Sequence, residues 1–147
     1  MALTLHDLLE RARARIERLS VFEAFVAAAE GALIVDIRSE ADRDRAGVVP
    51  ESLHIPRNVL EWRLAPDSAW RNPYVGGLER WIVLLCYDGC SSSLAGPTLV
   101  DLGYAHVSDV VGGFESWLAS GLPIAMPAHH QVPPALPGMD APEPPPA

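Results

Sequence analysis

Apolar and polar positions change rhythm along this chain. Leu5, Leu8, Leu9 and Ala12 recur at helical spacing behind a Thr4/Asp7 capping pattern, which predicts a helix from Thr4 to about Ala14. Ser20 with Glu23 starts a second helix; Phe22, Phe25, Val26 and Ala29 are expected to face inward, with Gly31 at its end. Leu33-Ile34-Val35-Asp36-Ile37-Arg38 is a short apolar run ending in charge, as in a strand buried on both faces. Ser39 opens a short helix to about Ala46, and Leu53-His54-Ile55 reads as another strand. Asn58 and Glu61 are expected to cap a short helix carrying Trp62. Residues 65–79, with Pro66, Pro73, Gly76 and Gly77, read as loop. Trp81 to Leu85 is the clearest strand. A helix around Ser92–Leu102 follows and ends at Gly103. His106–Val111 is a further strand, and Phe114–Ala119 a last helix closed by Gly121 and Pro123. This alternation predicts an α/β fold with a mostly parallel central sheet, about five strands, and helices on both faces.

Composition refines this picture. The 147 residues suit one domain, and at 49% hydrophobic and 20% charged they can build a core. The expected organisation is an N-terminal helix over 1–14, a globular domain over 15–126 and a disordered Pro-rich tail over 127–147. Eight of the 21 residues from Pro127 to Ala147 are Pro, so that stretch buries too little apolar surface to offset its ordering entropy. His129-His130 within it lacks a third metal ligand nearby and reads as solvated tail. No run of about 18 apolar residues suggests a membrane helix. The acid-interrupted start Leu5-His6-Asp7-Leu8-Leu9-Glu10 is unlike a signal peptide, so a reducing cytoplasm is the expected location. Net charge −8 argues against nucleic-acid binding. All 11 cationic residues are Arg, which excludes Schiff-base and P-loop chemistry and, with the Ala-rich usage, suggests a GC-rich bacterial genome. Arg11, Arg13, Arg15 and Arg18 are expected to form a solvated face. Cys86 and Cys90 can supply neither a disulfide framework nor a four-cysteine zinc site.

In parallel sheets, ligands bind beyond the carboxyl ends of the strands. There the chain reads Cys86-Tyr87-Asp88-Gly89-Cys90-Ser91-Ser92-Ser93, joining the clearest strand to a helix N-terminus. A thiol at that junction faces backbone N–H groups and the positive end of the helix dipole, both of which favour thiolate. Gly89 allows the loop to curl into an anion nest. Such a nest suits a persulfide, the terminal sulfur of thiosulfate or a phosphoryl group. On spacing alone, a buried inert cysteine is the competing reading.

Four motifs in register resemble a single-domain rhodanese. Cys86-Tyr87-Asp88-Gly89-Cys90-Ser91-Ser92 lies on the family's Cys-x-x-Gly-x-Arg-Ser loop. Val35-Asp36-Ile37-Arg38 is similar to its Asp-x-Arg, and Gly47-Val48-Val49-Pro50-Glu51-Ser52-Leu53-His54-Ile55-Pro56 to its Gly-His-Ile-Pro-Gly-Ala-x-Asn-Ile-Pro. Val111-Gly112-Gly113-Phe114-Glu115-Ser116-Trp117, with Gly121-Leu122-Pro123, resembles its C-terminal Gly-Gly-x-x-x-Trp signature. The resemblance spans roughly residues 15 to 124. It implies a rhodanese-like fold and a sulfurtransferase with Cys86 as nucleophile and persulfide carrier. Backbone amides from Tyr87 to Ser92 would stabilise the sulfur, and a thiol or cyanide would accept it. No metal or organic cofactor is implied. Asp36 and Arg38 match a structural motif and are expected to form a buried ion pair; Gly112, Gly113 and Trp117 belong to the C-terminal motif.

The departures from the family carry their own expectations. Ser91 replaces the loop Arg and Asp88 adds a negative charge, so dianionic thiosulfate should be a weaker donor than a low-charge or protein-borne persulfide. Arg57 or Arg63 could restore charge if their helix lines the mouth. Pro97 either distorts the helix after the loop or delays its start. Cys90 could resolve a Cys86 persulfide to a disulfide, although packing into a loop pocket is the preferred role. A phosphatase, which resembles Cys-x5-Arg, is disfavoured because Ser92 holds the sixth position. The chief rival is a non-catalytic rhodanese-like binding or regulatory module, and a third reading is a Cys86/Cys90 redox sensor. His6, His54 and His106 read as ordinary hydrogen-bonded histidines, and Trp62, Trp70, Trp81 and Trp117 as packing.

Overall fold

A computed structural model describes residues 1–127. Residues 128–147 of the expected 127–147 tail, His129 and His130 included, lie outside the described residues. Five strands, β1 (Glu17–Leu19), β2 (Leu33–Asp36), β3 (Leu53–His54), β4 (Ile82–Leu85) and β5 (Val107–Val110), form one sheet in the order β1-β5-β4-β2-β3. Every pairing is parallel, and β2 registers Leu33 on Ile82 through Asp36 on Leu85. All four positions of β2, β4 and β5 are buried, as an all-parallel sheet covered on both faces requires.

Among the described residues, six α-helices surround it: α1 (Leu5–Arg13), α2 (Val21–Ala29), α3 (Glu40–Ala46), α4 (Leu60–Leu64), α5 (Ser91–Asp101) and α6 (Gly113–Ala119). Leu60 and Leu64 of α4 and Ala95 and Leu99 of α5 join Val35, Ile82 and Leu84 in the core on one face. Ala24 and Ala27 of α2 and Phe114 and Trp117 of α6 join Ile34, Val83 and Leu85 on the other. Thr4 and Ser20 cap α1 and α2 in reciprocal boxes with Asp7 and Glu23.

Several expectations are corrected. Strand β1, hidden in the polar run Glu17-Arg18-Leu19, pairs with β5 and was not foreseen. Helix α2 buries Val21, Ala24 and Ala27, whereas Phe22, Phe25 and Val26 are exposed and Ala29 faces outward. Because α2 is apolar on nearly every side, periodicity could not select the face; the small residues did, by allowing the helix close to the sheet. Asn58 caps no helix: a 3₁₀ turn (Arg57–Val59) runs directly into α4 without a side-chain cap. Helix α5 starts at Ser91, with Pro97 accommodated in its interior, so the dipole stays at the loop. Gly96 lets α5 lie against Ile16, since a Cβ there would lie 2.7 Å from Ile16 Cγ2.

Candidate active site

Cys86 follows the last residue of β4 and is only 4% exposed. The loop after it turns back so that the Gly89 N–H donates to Cys86 Sγ at 3.1 Å and the Ser92 N–H at 3.3 Å. Both bonds strengthen when the sulfur carries charge. The expected cradle of amides from Tyr87 to Ser92 is narrower than its sequence span. The Cys90 N–H is taken by the Asp88 carboxylate at 3.1 Å. Asp88 therefore spends part of its charge within the loop's own backbone. Tyr87, Asp88, Cys90 and Ser91 are exposed, and Ser92 is fully buried. Cys90 Sγ lies 3.9 Å from Arg13 Nη2, on the exposed side of the loop.

Two glycine sites make this curl possible. Gly89 has φ +87°, and a Cβ on it would meet Gly112 N at 2.7 Å and Val110 O at 2.9 Å. Gly113 has φ +59°, and a Cβ there would lie 2.5 Å from the Cys86 carbonyl oxygen. With no side chain at either, the first turn of α6 backs onto the loop. The Phe114 N–H donates to Cys86 O at 2.8 Å and the Glu115 N–H to Tyr87 O at 2.9 Å. Trp117 buries its ring and donates Nε1–H to Pro123 O at 2.9 Å, fixing the far end of α6.

The loop is gripped from behind by residues that sequence reasoning missed. Gly89 O accepts from Arg13 Nη2 at 3.2 Å and Arg18 Nη2 at 2.9 Å, and Ser93 Oγ lies 3.0 Å from it. Arg13 Nε also donates to Ser93 Oγ at 3.0 Å. The arginine cluster is thus not wholly a solvated face: Arg13 and Arg18 turn to the loop, while Arg15 pairs with Asp101 at the surface. Asp109, fully buried in β5, accepts from Arg18 Nε at 2.9 Å, Ser93 Oγ at 2.7 Å and Ser92 Oγ at 2.9 Å. Cys86 Sγ donates in turn to Ser92 Oγ at 3.3 Å. Asp109 did leave a signal: a carboxylate near the carboxyl end of a buried strand needs partners. Arg13 and Arg18 left none, since contacts across 71 to 91 residues are invisible to local pattern.

Asp36 and Arg38 form a buried pair, with Arg38 Nη2 2.8 Å from Asp36 Oδ2. Arg38 also donates to Gly47 O at 2.8 Å, and its guanidinium stacks 3.8 Å from the Phe114 ring centre. This pair ties β2 and the Gly47 turn to α6. Arg57 is paired with Glu61 at 2.7 Å, and Arg63 donates to Trp70 O at 2.8 Å, so both guanidiniums have partners on their own segment. Burial is the main cause lowering the His54 pKa; its Nε2 lies 2.7 Å from Arg38 O, an opposing contact. His106 sits on Glu17 at 2.7 Å and stacks on Trp81. His6 neighbours Glu10. Among the described residues, no cluster of His, Cys, Asp and Glu could hold a metal ion, and no helix is long and apolar enough to cross a membrane.

The family model described as the Rhodanese-like domain matches residues 22–120. The chain belongs to this family. Among relatives of the rhodanese-like domain, the thiosulfate sulfurtransferase GlpE of Pseudomonas savastanoi pv. phaseolicola is 32% identical over 91 residues, covering 62% of this chain and 76% of that protein. A sulfurtransferase of Allochromatium vinosum is 31% identical over 98 residues, covering 67% and 82%. Among solved structures, a protein of unknown function from Rhodopseudomonas palustris, described as a possible tyrosine phosphatase, superposes with TM-score 0.78 at 30% identity, covering 85% of this chain and 96% of that one. The polysulfide-sulfur transferase homodimer of Wolinella succinogenes gives 0.65 at 26%, covering 84% and 88%. Arg13 and Arg18 both precede the matched region of this rhodanese-like domain.

Proposed function

We propose that this rhodanese-like domain is a sulfurtransferase that carries sulfane sulfur on Cys86. The observation that carries this reading is the pair of amides, Gly89 and Ser92, donating to a buried Sγ at the carboxyl end of β4. In the first half-reaction the Cys86 thiolate attacks the sulfane sulfur of the donor. The donor's S–S bond breaks and its leaving group, sulfite in the case of thiosulfate, departs with the electron pair. In the second, a thiolate or cyanide attacks the outer sulfur of the Cys86 persulfide. The Sγ–S bond breaks and Cys86 leaves as thiolate, which the same two amides stabilise. The cycle is ping-pong and needs no cofactor. A reducing cytoplasm suits it, because it keeps the free Cys86 thiol from being oxidised between cycles.

Donor choice follows from charge. The exposed Ser91 supplies no cation at the mouth, and Arg13 and Arg18 bond the rear of the loop through Gly89 O. A low-charge persulfide is therefore the better donor, with thiosulfate a weaker one. The test is intact-protein mass spectrometry after incubation with thiosulfate and, separately, glutathione persulfide. A gain of one sulfur atom that cyanide removes and that Cys86→Ser lacks supports the carrier role. No gain from either donor overturns it in favour of a binding module.

A further inference from the structure

Ser92 has one hydroxyl proton and two candidates to receive it. Asp109 Oδ2 lies 2.9 Å from Ser92 Oγ, and Cys86 Sγ lies 3.3 Å from the same oxygen. The nearer acceptor is a buried carboxylate, and a charge-assisted bond is roughly twice as strong as a neutral one. The proton therefore points to Asp109, and the Ser92 oxygen presents its lone pairs to the thiol, whose S–H donates to it. When the sulfur becomes negative, those lone pairs face a charge, and the hydroxyl has to turn to donate instead. Asp109 tolerates that loss because Arg18 and Ser93 still donate to it.

We propose that Asp109 is a positioning residue that acts on Cys86 through Ser92, holding the hydroxyl toward the carboxylate in the thiol state and releasing it to the sulfur when Cys86 is the nucleophile or leaving group. No bond other than hydrogen bonds changes; on ionisation the thiol proton goes to solvent or to the departing group. The neighbouring charges do not substitute for this device. Arg13 is bonded to Gly89 O and Ser93, and Asp88 to the Cys90 amide. Asp36 and Arg38 neutralise each other, and Glu115 is exposed on α6. Arg18 anchors the device from outside the family-matched region. Its part in turnover rests on the sulfurtransferase reading, but the geometry does not.

The test is the pH profile of Cys86 alkylation by iodoacetamide, followed at that residue by peptide mass spectrometry on the full chain. Asp109→Asn weakens the hold on the hydroxyl and lets it donate to sulfur, so the midpoint moves to lower pH. Ser92→Ala removes the oxygen that accepts the S–H and moves it the same way. The double variant shifts no further than Ser92→Ala alone. An unchanged midpoint in Asp109→Asn overturns the proposal, as does an equal Asp109→Asn shift with and without the Ser92 hydroxyl, which would be charge acting through space. Should Asp109→Asn not fold, Ser92→Ala alone decides, and an unchanged midpoint there is fatal. Sulfur loading is measured in parallel on wild type. Normal loading with unmoved profiles refutes the relay alone; the expected shifts without loading refute the sulfurtransferase reading alone.

Discussion

Gly113 and Cys86 stand so close that a Cβ on Gly113 would lie 2.5 Å from the Cys86 carbonyl oxygen. That approach lets the α6 backbone hold the peptide that carries Cys86. Gly113→Ala adds this clash to a backbone at φ +59°, and overpacking of this kind costs roughly 1–3 kcal/mol. The expected result is a lower urea midpoint together with slower sulfur loading. Wild-type loading in the variant would show that α6 does not position the loop.

Arg13 reaches the loop from α1. Arg13→Ala removes its bonds to Gly89 O and Ser93 Oγ, a loss of about 1–2 kcal/mol for a part-buried charged donor. Sulfur loading is expected to slow while the far-ultraviolet circular dichroism stays unchanged. A loading rate equal to wild type would return Arg13 to the role of a surface charge.

Asp36 is more costly to lose than to keep. Asp36→Ala leaves Arg38 buried without its carboxylate, and breaking a buried pair from one side costs about 3–5 kcal/mol. Chemical denaturation is expected to show a loss on that scale, or no folded protein. A loss below about 1 kcal/mol, the range of exposed pairs, would contradict the burial.

Restoring a mouth cation tests donor choice. Ser91→Arg is expected to raise kcat/KM for thiosulfate roughly tenfold, equivalent to about 1.4 kcal/mol of transition-state binding, with little change for glutathione persulfide. If thiosulfate is already the best donor of the wild-type protein, the charge argument fails.

His54 gives stability a pH dependence. Burial lowers its folded pKa below the ordinary value of 6.5, so the unfolded chain binds the proton more readily. The contribution is intact above about pH 6.5 and is lost as pH falls toward the folded value. Wild type is expected to lose more stability than His54→Gln between about pH 7.5 and pH 5.5. Parallel curves for the two proteins would rule this out.

Much of the fold was legible because its cues are local. The run Trp81–Leu85 reads most clearly as a buried strand, and Ser20 with Glu23 marks the start of α2. The loop from Cys86 to Ser92 was visible as a strand-to-helix junction with a thiol at its start. The inward face of α2 was not, because Phe25 and Ala24 carry the same apolar signal, and distance to the sheet separates them. Strand β1 was hidden as well, since Glu17 and Arg18 look polar until β5 pairs with them.

The amino-acid order by itself determined the parallel α/β architecture, the place of Cys86 beyond a strand end and the glycines that let its loop curl. These depend on φ preferences, caps and periodicity, which act over a few residues. Only the tertiary structure decided which donors reach the sulfur, that Asp88 takes one amide from the cradle, and that Arg13, Arg18 and Asp109 meet behind the loop. Those contacts join residues up to 91 positions apart. Their partners are set by strand order and helix packing, which no local pattern encodes.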